Sequence, residues 1–260
     1  MALSDLFPFQ NHPFKVLDDE TMRDTAESIQ RYGVLVPGIA RPRTDGAGNP
    51  CGGYELIAGH RRKRGSELAG KDTMPIIVRD LDDDESTIIM VDSNLQRENL
   101  LPSEKAWAYK MKLDAIKRQG TRTDLTSAQV GQKSQVSVEI VAEEAGESRN
   151  QVKRFIRLTE LLPALLQMVD DKKLAFNPAV ELSYLTQDEQ KWLIKAMNDL
   201  ETFPSLAQAG RLKKYSQDGN LNEAVIDAIL TEEHTASVQV TLKGDQLKRY
   251  FPQNYTQKQV

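Results

Sequence analysis

Two segments of the sequence carry side chains whose types and spacing could do chemistry, and the first is the basic run AGHRRKR at 58–64. A short apolar stretch ends at Gly59, and basic residues open the helix predicted to follow. Cations at a helix N-terminus oppose the helix dipole at a cost of about 0.3–1 kcal/mol each, whereas the free backbone N–H groups there bind anions well. The run therefore predicts a phosphate site, although an ordinary charged surface explains its composition equally well.

The second segment is VEIVAEEAGESRNQVKRFIRL at 138–158, which has the spacing of a helix-turn-helix. Small or apolar residues stand where two helices would pack, at Ala142, Val152 and Phe155. Gly146 permits the left-handed turn between the helices, and Ser148 can cap the second helix. An ordinary helical hairpin is the alternative interpretation of this spacing.

The outward face of the second helix favours DNA binding over that hairpin. It presents polar and basic side chains at Arg149, Asn150, Lys153, Arg154 and Arg157. An asparagine can form two hydrogen bonds with adenine, and an arginine can form two with guanine. The sequence thus predicts that this helix reads a DNA groove.

The elements that must position these segments predict an α+β fold, with a small mixed α/β N-terminal domain followed by an all-helical helix-turn-helix domain. In the first part, we predict an amphipathic helix at 18–32 ended by Gly33, a helix at 61–69, and strands at 34–41, 54–58 and 74–79, with a loop at 43–53. Helices dominate from Asp82 onward, including one from Pro102 to about Gln119 that Gly120 ends, followed by a polar connection at 121–135. The predicted domains are 1–100, 101–230 and a short C-terminal segment at 231–260 that includes a strand at 238–242.

Composition limits the classes of protein that this chain can represent. The formal net charge of the 260 residues is −4, so a DNA-binding protein would need locally concentrated positive charge. The single cysteine, Cys51, excludes an internal disulfide framework and a cysteine-based zinc cluster. No apolar run approaches the ~20 residues of a membrane span, and the N-terminal residues lack the basic cluster of a signal peptide. We therefore expect a cytoplasmic protein.

Five segments, read in order, resemble the ParB partition-protein family. They are YGVLVPGIAR at 32–41, GGYELIAGHRRKRGSELAG at 52–70, MPIIVRDL at 74–81, SNLQRENLLPSEKAWAY at 93–109 and AGESRNQVKRFIRL at 145–158. The resemblance covers about residues 18–185 and is far more specific than any one of its motifs. It implies a homodimer on the nucleoid or a plasmid that binds a centromere-like inverted repeat in double-stranded DNA. The resemblance further implies that CTP closes the protein as a clamp around DNA, and that a ParA-type ATPase is its partner.

The resemblance also implies roles for individual residues. Gly59, Arg61 and Arg62 would hold the CTP phosphates, and Asn94 would contact the phosphates together with Mg²⁺. The residues implied to read the DNA site are Ser148, Arg149, Asn150, Gln151, Lys153 and Arg154. The family resemblance assigns no catalytic residue here, and whether the chain hydrolyses CTP stays open.

The sequence departs from the family pattern at positions that bear on the metal. The family's glutamate between Gly59 and Arg61 is His60, the glutamate before Asn94 is Ser93, and His12 stands where the glutamine tied to CTP hydrolysis would be. Loss of two carboxylates weakens binding of a hard cation, so phosphate binding is expected to persist while Mg²⁺ dependence and hydrolysis are open. The two histidines are expected to be neutral side chains on the surface or in hydrogen bonds. The segment after residue 230 is shorter than the family's dimerisation domain and is interpreted as a reduced version of it.

Other functions are compatible with the same N-terminal fold. A ParB-like transcription regulator of a mobile element is one alternative, and a phosphotransfer enzyme or nuclease is another. Sulfiredoxin-like chemistry would want a cysteine within the glycine–arginine motif, where His60 stands, and a serine kinase would not need the helix-turn-helix. A nuclease would want clustered carboxylates for metal ions, whereas the acidic run at 82–85 is interpreted as a helix N-terminus.

Overall fold

The computed structural model describes residues 1–10, 12–45, 49–97, 100–123 and 130–232, and describes only the backbone of 121–123 and 130–136. The mixed N-terminal part contains, in chain order, β1 (Leu6–Pro8), α1 (Glu20–Tyr32), β2 (Gly38–Thr44), β3 (Pro50–Ala58), α2 (His60–Leu68), β4 (Ile76–Val78) and α3 (Asp83–Leu95). The helical part contains α4 (Pro102–Thr123), α5 (Val130–Ala145), α6 (Arg149–Arg157), α7 (Pro163–Asp170), α8 (Phe176–Leu182), α9 (Gln187–Asp199), α10 (Leu206–Gln217) and α11 (Glu223–Thr231). The predicted α+β fold is confirmed.

The four strands form one sheet in the order β1-β3-β2-β4. β3 runs parallel to β1 and antiparallel to β2, and β4 runs parallel to β2. Alternate residues of β3 face opposite sides of the sheet, so Leu56 packs with Ala40 and Met74 while Ile57 packs with Met90 of α3. Helix α3 thereby covers the face of the sheet on which Ile57 lies.

The predicted strand bounds were partly wrong. The strand expected at 34–41 begins only at Gly38, because the backbone bends before it, and it continues through Pro42 to Thr44. The expected loop at 43–53 is correspondingly shorter, since β3 already begins at Pro50. Strand β1 was not predicted, because three residues with one buried side chain give no periodic signal.

Helix α1 confirms its prediction, with Asp19 accepting a hydrogen bond from the Met22 backbone and Gly33 ending the helix at φ 74°. Helix α3 begins in a capping box, in which Asp82 and Glu85 each bind the other's backbone N–H. The acidic run at 82–85 therefore forms a helix N-terminus, as expected.

The predicted end of the next helix was wrong, because α4 continues through Gly120 to Thr123. A glycine in a helix costs only about 1 kcal/mol relative to alanine. The buried residues of α4 that precede Gly120 pack against several helices, and this packing outweighs that cost. The polar connection expected at 121–135 is also shorter, since the backbone is helical again from Val130. Helix α4 packs against α3 on one side and against α5 and α6 on the other, so both predicted domains share it.

The helical part surrounds a single apolar core that extends from Tyr109 in α4 to Leu230 in α11. Residues 1–230 form one compact unit. The strand predicted at 238–242, and the reduced dimerisation element with it, lie outside the described residues. Within the described part of the chain, no helix is both long and apolar enough to cross a membrane.

Candidate nucleotide and DNA sites

Gly59 sets up the predicted phosphate site by turning the chain from β3 into α2. Its φ of 112° is unfavourable for any other residue, and a Cβ there would lie 3.2 Å from Gly38 Cα. The backbone N–H of Lys63 makes the first helical bond, to the Gly59 carbonyl at 2.9 Å. The three N–H groups before it have no partner within the helix, so they form the positive end of α2.

The basic side chains of α2 do not all face the same way. Arg61 donates to the Thr21 hydroxyl at 2.8 Å and lies 3.9 Å from an Asp19 carboxylate oxygen. Arg64 is paired with Asp18 at 2.5 Å and with Glu67 at 3.2 Å. Arg61 therefore has the weaker carboxylate contact of the two arginines.

Arg62 faces the bend before β2. Its Nη1 donates to the carbonyls of Val36 at 2.6 Å and Pro37 at 2.5 Å, and burial lowers the pKa of its guanidinium. In the described structure Arg62 holds the chain at the start of β2, so its contact with phosphate remains a prediction.

Two histidines lie against each other beside the start of α2. The ring centres of His12 and His60 are 4.0 Å apart, with their planes inclined at 50°. The Nε2 atoms of both rings are buried and have no hydrogen-bond partner in the described part of the chain. Burial, with lesser contributions from His12, Arg97 and Lys63, lowers the pKa of His60 to about 3. The pKa of His12 is also lowered, chiefly by burial, so both rings, which are half-buried, are neutral at pH 7.

Asn94 and Arg97 are at the C-terminal end of α3 and just beyond it. Asn94 is 3% exposed, and its Nδ2 donates to the Met90 carbonyl at 2.8 Å and to the Ser93 hydroxyl at 3.3 Å. Its Oδ1 is buried and has no partner among the described residues. The guanidinium of Arg97 lies 5.9 Å from the centre of the Phe14 ring.

Arg97 belongs to the same electropositive region as His60 and Arg61. Burial lowers its pKa, and Arg61 lowers it further by repulsion between the two guanidinium groups. Arg97 also helps to lower the pKa of both histidines. Arg97 was not assigned to the site from the sequence, although Arg97 is only three residues after Asn94.

These groups fit a phosphate better than a magnesium ion. Backbone N–H groups and several cations surround the start of α2, whereas Mg²⁺ prefers oxygen ligands and usually binds through carboxylates. The described residues contain no group of three or more histidine, cysteine or acidic side chains placed to hold a metal ion. The described side chains at this site therefore offer a phosphate cations and N–H groups rather than the carboxylates that Mg²⁺ prefers.

The helix-turn-helix geometry is confirmed. Helices α5 and α6 meet through the buried side chains of Ala142, Val152 and Phe155. Gly146 turns the chain at φ 65°, and the Ser148 hydroxyl accepts a hydrogen bond from the Gln151 backbone at 3.1 Å. This capped turn fixes the direction of α6 relative to α5.

The outward side chains of α6 differ in how they are held. Asn150 and Lys153 are exposed, as is the cap Ser148. Arg149 forms an ion pair with Glu139 at 2.6 Å, and Arg154 donates to the Asn177 side chain at 2.5 Å. The two arginines are thus oriented by neighbouring helices, while Asn150 and Lys153 extend from α6 itself.

Arg157 has a different position from the one its spacing indicated. Its guanidinium donates to the Ser183 hydroxyl at 3.1 Å and to the Ser183 carbonyl at 2.6 Å. It also stacks 4.2 Å from the centre of the Tyr184 ring. Arg157 therefore fastens α6 to the end of α8.

Comparison with known proteins shows two family domains in this order. The model of the ParB N-terminal domain matches residues 1–95, and the model of the ParB HTH domain matches residues 98–202. A chromosome-partitioning protein Spo0J of Thermus thermophilus is 31% identical over 214 residues, which are 82% of this chain and 69% of that protein. A probable chromosome 1-partitioning protein ParB of Deinococcus radiodurans is 35% identical, over 68% of this chain and 52% of that protein.

Among solved structures, the chain is similar to a C-terminally truncated chromosome-partitioning protein ParB of Caulobacter crescentus complexed to the centromeric parS site, at 25% identity and a TM-score of 0.46. That similarity covers 82% of this chain and 97% of the Caulobacter chain. The same Caulobacter protein complexed with CTP-gamma-S is similar at 28% identity and a TM-score of 0.33, over 73% of this chain and 93% of that one. With its two domain matches and its partition-protein relatives, the chain belongs to the ParB family.

Proposed function

We propose that this chain is a partition protein that binds a specific site in double-stranded DNA through α6 and binds the phosphates of CTP at the N-terminus of α2. The observation that carries the proposal is the capped α6, which presents exposed Asn150 and Lys153 beyond the turn at Gly146. An amide and a cation on one helix face match the two kinds of contact that DNA offers, base edges and phosphates.

Partition as the biological role is supported by the relatives, which are chromosome-partitioning proteins. A ParA-type ATPase is the partner that this role implies, and recognition of an inverted repeat implies a homodimer. The choice of CTP comes from the family resemblance of the segment at 52–70, while the phosphate site is supported by the conformation of Gly59 and the cations around it.

The DNA part is tested by fluorescence anisotropy with duplex fragments from the protein's own replicon. Arg149→Ala, Asn150→Ala and Arg154→Ala should each weaken binding to the specific fragment by about 1–3 kcal/mol, because each removes a side chain that can reach a base edge. Lys191→Ala is the matched control, since it removes an exposed cation that pairs with Asp188 of its own helix, α9. Equal affinities of all four variants for the specific fragment would contradict the assignment of α6.

The nucleotide part is tested by calorimetric titration with CTP, with ATP and GTP as comparisons. Arg61→Ala should abolish measurable CTP binding and leave DNA recognition intact, because Arg61 lies beside the free N–H groups of α2. Arg64→Ala is the control, since its guanidinium is already paired with Asp18 and Glu67. Wild-type affinity for CTP in the Arg61 variant would refute the phosphate site.

A further inference from the structure

We propose that His12 and His60 are phosphate-contacting residues of the nucleotide site that bind the anion as a pair carrying one added proton, so that nucleotide binding takes up a proton from solution. This inference rests on the nucleotide site proposed above. It gives a ligand-binding role to two residues that replace hydrogen-bonding and acidic positions of the family pattern.

The hydrogen bond of His12 determines what its free nitrogen can do. Its Nδ1 lies 2.9 Å from the carbonyl oxygen of Phe14, and because a carbonyl only accepts, Nδ1 must carry the hydrogen. A neutral imidazole has one donor and one acceptor, so Nε2 of the neutral ring is an acceptor. Phosphate oxygens are acceptors as well, and His12 can therefore donate to a phosphate only after Nε2 has been protonated.

The two rings stay neutral in the free protein chiefly because they are buried, and nearby cations add to this effect. Arg97 and Lys63 repel a proton on His60, and the neighbouring ring of His12 adds to this effect. Glu104 of α4 is the carboxylate that favours a proton on His12, but its oxygens already accept from the backbone N–H groups of Lys15 at 2.8 Å and Leu101 at 3.0 Å. Burial, followed by the smaller effects of His12, Arg97 and Lys63, holds the pKa of His60 at about 3.

A bound phosphate reverses the balance of charge around the pair. Its negative charges favour the protonated, charged form of a basic group such as imidazole within a few ångströms. Protonation also converts the buried Nε2 of His12 from an acceptor without a partner into a donor to a phosphate oxygen, and Nε2 of His60 can donate even from the neutral ring in its Nε2–H tautomer. Buried polar atoms in folded proteins normally have hydrogen-bond partners, and the two Nε2 atoms would thereby obtain theirs.

A proton suits the pair better than a metal ion does. Two imidazole nitrogens are the only side-chain ligands that this contact offers, and no larger group of metal-ligating side chains is found in the described residues. A divalent cation would need most of its ligands from the nucleotide or from water. A proton needs only the two rings and the anion.

The sign of the pH dependence follows from this arrangement. Binding of the anion raises the pKa of a ring that is neutral when free, so the complex holds more protons than its components. The association constant should therefore fall by about tenfold for each unit of rising pH, between the lowered pKa of His12 in the free protein and its higher pKa in the complex. A site that binds phosphate only through arginines and backbone N–H groups would lack this dependence.

The test is calorimetry of CTP binding at pH 7 in buffers of different ionisation enthalpy, because the dependence of the heat on the buffer counts the protons exchanged. The comparison is between the full-length wild type and His12→Asn/His60→Asn, with equal melting temperatures as evidence that the variant folds. Protons exchanged by the nucleotide itself are common to both proteins and cancel in the difference. We expect the wild type to take up about one proton more per CTP than the double variant does.

Three results would overturn the inference, and they are distinguishable. Equal proton uptake in the two proteins, with CTP bound by both, would remove the histidine pair and leave the proposed nucleotide site intact. Binding that disappears in EDTA, without extra proton uptake, would show that a divalent cation rather than a proton accompanies the nucleotide. Absence of CTP binding by the wild type at every pH from 6 to 8 would remove the nucleotide site and the inference together.

Discussion

Replacing Lys112 tests how the mixed N-terminal part is joined to the helix-turn-helix. The side chain of Lys112 on α4 is only 1% exposed, and its ammonium pairs with Asp92 on α3 and with Glu144 on α5, the latter at 2.5 Å. One buried cation therefore connects the helix that carries Asn94 with the first helix of the DNA-binding motif. We expect both Lys112→Met and Lys112→Ala to destabilise the fold, by different amounts.

The two replacements separate the charge from the buried stem. Methionine keeps an unbranched apolar side chain, so Lys112→Met removes mainly the two ion pairs. Asp92 and Glu144 are 46% and 52% exposed and can regain water, so the loss should be about 1–3 kcal/mol rather than the 3–5 kcal/mol of a fully buried pair. Lys112→Ala also removes three buried methylene groups, which adds about 2.4 kcal/mol at roughly 0.8 kcal/mol each.

The assay is urea denaturation followed by circular dichroism, with the free energy of unfolding extrapolated to water. Lys110→Met is the control from the same helix, because Lys110 is 34% exposed and its pair with Glu160 is longer, at 3.5 Å. We expect the control to lose less than about 1 kcal/mol. If Lys112→Met is as stable as the control, the reasoning that this buried ammonium holds α3, α4 and α5 together is refuted.

Three further predictions concern single positions. Gly59→Ala should lower the free energy of unfolding in urea by about 1–3 kcal/mol. The loss should exceed that of Gly70→Ala, because Gly70 shares a positive φ but has open space around it. Equal losses in the two variants would contradict a close approach of Gly59 to Gly38. Ser148→Ala should cost about 1 kcal/mol in the same assay through loss of the α6 cap, and an unchanged midpoint would argue against that cap. Between pH 7 and 5 the free energy of unfolding should decrease with falling pH, with His60 contributing at most about 1.4 kcal/mol per unit, because the unfolded chain protonates His60 near 6.5 while the folded protein keeps it neutral down to about 3. His60→Asn should flatten this slope, and an unchanged slope in that variant would show that His60 is not its source.

The helix-turn-helix could be predicted from sequence because its determinants are local. The turn needs Gly146, the cap needs Ser148, and the packing needs apolar side chains at fixed spacing within one segment. The same holds for α1 and α3, whose ends are defined by capping residues next to them. Interactions within a few residues leave a pattern that can be read without the fold.

The direction of each basic side chain near Gly59 could not be predicted, because it depends on distant segments. Arg62 faces the bend at Val36 and Pro37, which are 26 and 25 residues away in sequence. Arg64 faces Asp18, which is 46 residues away. The contact of His12 with His60 likewise joins segments whose proximity no local pattern records. Helix α4 passed its predicted end at Gly120 for a related reason, since packing along the helix outweighed a local preference.

The most direct test of whether α6 reads a DNA sequence is selection of bound duplexes from a randomised pool. The wild type should enrich one sequence with the two-fold symmetry of an inverted repeat. The variant Asn150→Ala/Lys153→Ala, which removes the two exposed side chains of α6, should lose that enrichment while keeping the wild-type melting temperature. Failure of the wild type to enrich any sequence, or recovery of the same sequence by the variant, would contradict the claim.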